Sequence, residues 1–94
     1  MKTNKEFFDL FHEKLPEKYK KHLYMCKDDD GSLVEWIGEE FRIGVNVVGD
    51  ETEAGWHIVS KHTMGNVICM GEFSNVEYDK IMDFFVSFIS IFQP

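Results

Sequence analysis

SNVEYDKIMDFFVSFISIF, residues Ser74–Phe92, is the stretch on which the fold turns. Ser74 suits an N-cap, because its hydroxyl can accept a hydrogen bond from a free backbone N–H in the first helical turn. Glu77 stands three residues on, at capping-box spacing, with Phe73 and Tyr78 where a hydrophobic staple sits. Glu77 and Asp79 place negative charge at the positive end of the helix dipole. At about 100° per residue, Asp79, Lys80, Asp83, Ser87 and Ser90 share one side of the helix. Tyr78, Ile81, Met82, Phe84, Phe85, Val86, Phe88, Ile89, Ile91 and Phe92 occupy the rest, an apolar arc of about 220°, where packing on one sheet face needs only about 100°. The surplus has three destinations: a deep core, a seam with a second copy through Phe84, Phe85, Phe88 and Phe92, or a groove for an apolar ligand. A membrane is not among them. Phe84–Phe92 is far shorter than the roughly 20 residues of a span, and the polar side lacks the basic residues of an interfacial helix.

Working back from that helix, the chain reads as hairpins. Asn66–Phe73 and Trp56–His62 are strands joined through Gly65-Asn66, residues that tolerate the positive φ of a tight turn. Phe41–Val48 alternates Phe41, Ile43, Val45 and Val47 with Arg42, Gly44, Asn46 and Val48, the period of a half-buried strand. Gly49–Gly55 is an acidic loop and Gly38-Glu39-Glu40 a polar break. Leu23–Lys27 and Ser32–Ile37 flank the turn Asp28-Asp29-Asp30-Gly31, which carries a hairpin signal. At the start, Thr3 or Asn4 caps a helix with Phe7, Phe8, Phe11 and Leu15 as its apolar stripe and Glu6 in the capping-box position. Pro16 ends that helix, and Glu17–His22 makes one or two further turns. The expectation is an α+β fold in a single domain, residues 1–94. A meander of four to five antiparallel strands is flanked by an N-terminal and a C-terminal helix on one face.

Charge is unevenly spread. Residues 1–27 hold seven Lys against four acids, whereas residues 28–94 hold three basic residues against thirteen acids. An acidic body disfavours nucleic acid, whose phosphates need clustered Lys and Arg. It suits a basic protein surface, which opposite fields steer into contact. The densest acidic segment, Asp28–Glu53, has nine acids and one Arg. Asp28, Asp29, Asp30, Glu39, Glu40, Asp50, Glu51 and Glu53, with Trp36 and Trp56 as aromatic anchors, form the candidate partner-binding set. The competing explanation is that the acids only keep a small protein soluble.

Catalytic and metal patterns are missing. His57 and His62 are five apart on one strand and so point to opposite faces, His12 and His22 are remote from them in sequence, and no Cys-x-x-Cys occurs. Asp28–Glu39 resembles a calcium loop only at its ends: Leu33 stands where the loop needs glycine. Cys69, among apolar neighbours, reads as a buried inert thiol, and Cys26 beside Lys27 as slightly better placed for reaction. A disulfide between them has no support, and two reduced thiols with no leading signal segment point to the cytoplasm. Gly44 and Gly49 mark close backbone approach or a bulge. No phosphate-cradling loop or nucleophile elbow is present. The sequence therefore points to a cytoplasmic, non-enzymatic protein-binding module without cofactor, of inhibitor, immunity or adaptor type, that engages a basic surface. The alternative is a homodimeric small-ligand binder or enzyme with a pocket between helix and sheet.

Overall fold

A computed structural model describes residues 3–28, 31–47, 53–61, 67–74 and 78–93. The elements run α1 (Asn4–Lys14), α2 (Glu17–Lys20), β1 (Leu23–Asp28), β2 (Gly31–Ile37), β3 (Phe41–Val47), β4 (Glu53–Ser60), β5 (Val67–Ser74) and α3 (Tyr78–Phe92). The five strands form one antiparallel sheet in the order β1-β2-β3-β4-β5. This is the α+β meander that the alternation and turn residues predict.

Register explains which residues go inside. Leu23 faces Trp36, Trp36 faces Ile43, Ile43 faces Ile58, and Ile58 faces Cys69. The neighbouring row on the same face runs Met25, Val34, Val45, Trp56, Gly71. Because side chains alternate with period two, both rows meet the helices. They join Phe7, Phe11 and Leu15 of the first helical segment and Tyr78, Met82, Phe85 and Ile89 of α3 in one contiguous core. Phe7 packs on Tyr78 at 5.9 Å between ring centroids and Phe11 on Phe85 at the same distance, so α1 and α3 lie side by side over the sheet. Each such fully buried side chain is worth about 1.5–3 kcal/mol relative to exposure.

Thr3 caps α1 as expected: its Oγ1 accepts from the Glu6 N–H at 3.1 Å, and the Glu6 carboxylate accepts from the Thr3 hydroxyl at 3.3 Å. Leu15 is extended and its N–H closes on the Phe11 carbonyl, so α1 stops just before Pro16. Ser74 is the last residue of β5, opposite Glu53, and α3 is described from Tyr78. The capping box expected at Ser74 and Glu77 rests on side chains that lie outside the described residues. β4 also starts three residues before Trp56 and ends at Ser60, because its pairing with β3 runs from Val47–Ala54 to Phe41–Ser60.

The core closes around Trp36, which is 0 % exposed. Its Nε1–H donates to the Tyr19 carbonyl at 3.0 Å. Tyr19, His22 and Phe41 surround it with ring centroids 6.1, 5.5 and 5.4 Å away. The Tyr19 hydroxyl in turn donates to the Gln93 carbonyl at 3.1 Å, tying α2 to the residue after α3. Trp36 is therefore a core residue and no surface anchor, since an indole needs a wholly apolar cover with one outlet for its N–H.

Candidate interaction surfaces

Antiparallel connectivity sorts the acids by end of the sheet. Asp28 pairs with Gly31, Val47 with Ala54 and Glu53 with Ser74, so these strand ends share one end. Residues 28–31, 47–53 and 72–79 contain nine Asp and Glu and no Lys or Arg. Of the sequence-predicted set, Asp29, Asp30, Asp50 and Glu51 lie outside the described residues, and Asp28 and Glu53 are placed by their strands alone. Glu39 and Glu40 are exposed in the β2–β3 turn, at the opposite end. Strands of seven residues put about 20 Å between the two ends at about 3.3 Å per residue. Glu39 and Glu40 are thus separated from Asp28 and Glu53, and the sequence had no way to show it: adjacency along the chain is separation along a strand.

Glu39 and Glu40 sit on a tightly braced turn. The Gly38 N–H donates to the Phe41 carbonyl at 3.0 Å, the Lys61 N–H to the Glu40 carbonyl at 3.0 Å, and Lys61 Nζ to the Gly38 carbonyl at 2.8 Å. The Glu39 N–H donates to Gln93 Oε1 at 3.3 Å.

A second surface is apolar. Along α3 the buried stripe Tyr78, Met82, Phe85, Ile89 is flanked by Phe84, Phe88 and Phe92, which run down the helix with centroids 6.2 and 4.7 Å apart. Phe85 is wholly buried, so it belongs to the core and cannot line a seam with a second copy. Phe84 remains 37 %, Phe92 57 % and Ile91 72 % exposed. Beside them lies β5, an outer strand with Val67, Ile68 and Met70 at least half exposed. A β-bulge opposite Ile58/Val59 turns Ile68 toward the helix. There it lines a 410 Å³ groove with Phe41, Phe88, Phe92 and Glu40. Sequence reasoning found the phenylalanines but missed Val67, Ile68 and Met70. The available signal was a strand with no charge or proline from residue 67 to 71 in a chain with 29 % charged residues.

The sheet face away from the helices is polar by comparison. The row Tyr24, Glu35, Gly44, His57, Met70 crosses it. A Cβ on Gly44 would come within 2.5 Å of the His57 ring, so the imidazole lies across that glycine, the close approach expected there. An open groove of 700 Å³ includes Leu33, Asn46, His57 and Met70. Trp56 is half-buried on the other side, packed on Phe84 and Phe85 at 5.6 and 5.5 Å and across Gly71. It is a roof for the core more than a projecting anchor.

Both cysteines are free and half-buried. Burial pushes the Cys69 thiol up. Burial, the Glu35 charge and the Cys26 Sγ–H hydrogen bond to Glu35 Oε2 at 3.6 Å push Cys26 up as well. Cys26 is therefore not the readier nucleophile that Lys27 next to it in sequence implied: burial and the carboxylate of Glu35, diagonal to it on β2, both hold the thiol protonated. Among the described residues no three His, Cys, Asp or Glu converge as metal ligands, and no helix is long and apolar enough to cross a membrane. His12 is exposed, His22 packs on Trp36, and His62 lies outside the described residues. No protein-family model, curated protein or solved structure matches this chain.

Proposed function

We propose that the chain is a non-enzymatic protein-binding module that engages a basic partner surface through the acidic end of its sheet. The observation that supports this reading is topological. The meander brings the strand ends at Asp28/Gly31, Val47/Glu53 and Ser74 together, and residues 28–31, 47–53 and 72–79 there hold nine acids against the bordering Lys27 and Lys80. Fields of one sign concentrated at one end of a small molecule raise the on-rate for an oppositely charged partner by roughly tenfold to a thousandfold. Glu39 and Glu40, at the far end, contribute to that field only at long range, beyond the about 8 Å screening length at physiological salt.

The test is the association rate, measured by surface-immobilised kinetics against the partner captured from the source cell and then purified. With Asp50→Asn, Glu51→Gln and Glu53→Gln combined, association should slow by about tenfold or more and its salt dependence should flatten. The same treatment of Glu39 and Glu40 should change little. Equal rates and slopes for wild type and the triple variant would leave the acidity as a solubility device.

A further inference from the structure

The exposed apolar ledge points elsewhere than to a basic partner, and we propose that it is the seam of a homodimer in which β5 pairs antiparallel with β5 of a second copy. Three observations carry this. First, β5 is hydrogen-bonded to β4 alone, and Val67–Gly71 has none of the lysines or prolines that usually guard a sheet edge. The other edge strand, β1, ends in Lys27-Asp28 and carries the Cys26–Glu35 contact on its outer face.

Second, the neighbouring helix surface is uncharged in the same way. Phe84–Phe92 contains no Asp, Glu, Lys or Arg. In a chain of net charge −7, two copies repel unless they meet across uncharged surface. The two uncharged stretches, remote in sequence, are adjacent through Ile68, Phe88 and Phe92. Among the described residues lining that groove Glu40 is the one acid, too little counter-charge to select a basic partner, so the electrostatics favour a second copy.

Third, the area suffices. The exposed parts of Ile68, Phe84 and Phe92 on the helix side of the edge and of Val67 and Met70 on its other side come to on the order of 500 Å², and edge backbone adds to the about 800 Å² per partner of a standard interface. A two-fold axis perpendicular to the sheet reverses strand direction and keeps the same face up. The result is a continuous ten-stranded sheet with both α3 helices on one face, their phenylalanine stripes facing across the seam.

Sedimentation of the full chain over a micromolar-to-millimolar series tests this. The expected mass is twice 11.0 kDa at the upper end. Ile68→Glu and Met70→Glu each place like charges across the axis at positions that are 52 % and 67 % exposed, so the monomer should keep its circular dichroism spectrum. Dimerisation should weaken at least about tenfold, equivalent to 1.4 kcal/mol. Hydrogen exchange at amides 67–71 should slow with concentration in wild type only. A species of 11.0 kDa throughout overturns the proposal. So does a dimer that survives both edge variants, even if Phe92→Ser dissolves it, because its seam would then be the helix alone. The Asp50, Glu51, Glu53 variant should dimerise normally, so failure of either reading leaves the other standing.

Discussion

Gly44 and His57 show how one residue's identity follows from its cross-strand neighbour. They are register partners, and the imidazole occupies the space that a Cβ at position 44 would need. Gly44→Ala should therefore destabilise the protein by about 1–3 kcal/mol, the usual cost of overpacking. Because His57 is only half-buried, truncating it makes room. The double variant Gly44→Ala, His57→Ala should recover most of the loss, a coupling that urea denaturation of all four proteins measures. Additive losses would mean that the glycine serves some other constraint. The same scale corrects Cys26. Its sequence neighbour is Lys27, but burial first and the touching Glu35 carboxylate second push its thiol up.

At the scale of elements, the apolar period of α3 is repeated over fifteen residues and was legible in the sequence. Which part of that broad arc goes inside was not: Tyr78, Met82, Phe85 and Ile89 are buried, whereas Phe84, Ile91 and Phe92 stay exposed. The far end of α3 is held by a closure no pattern announces. Gln93 is buried, its Oε1 accepts from the Glu39 N–H, and Gly38 leaves room for it against Trp36. Gln93→Ala should cost about 1 kcal/mol, one neutral hydrogen bond. Gly38→Ala should cost more, up to about 3 kcal/mol, since the new Cβ would sit 2.5 Å from both Gln93 Oε1 and a Trp36 ring carbon. Thermal and urea unfolding of the two variants checks the order. A reversed order would show that the Glu39–Gln93 contact dominates the closure.

At the scale of the whole molecule, the net charge of −7 sets self-repulsion against ion pairing. Among the described residues, Lys5–Asp9 is largely exposed and Lys14–Asp83 leaves Asp83 71 % exposed, so neither pair stabilises much. Raising ionic strength from about 0.01 to 0.15 M, which shortens the screening length from about 30 to about 8 Å, should raise the unfolding free energy. The gain should be on the order of a few tenths of a kcal/mol up to 1 kcal/mol. A fall would show that attractive pairs dominate.

Periodicity and turn residues were enough to determine the α+β class and the order of an antiparallel meander between an N-terminal and a C-terminal helix, because each is a short-range property repeated along the chain. They also marked the surplus of phenylalanine in Phe84–Phe92, part of which the structure leaves in solvent. Three things were decided only in three dimensions. Trp36 and Phe85 went inside because the core closes over them. Glu39 and Glu40 were separated from the other acids by the length of a strand. Ile68 was brought beside Phe88 and Phe92 by a bulge and a helix packing. Each depends on which residues, distant along the chain, share a neighbourhood in space, and local sequence preference carries no record of that.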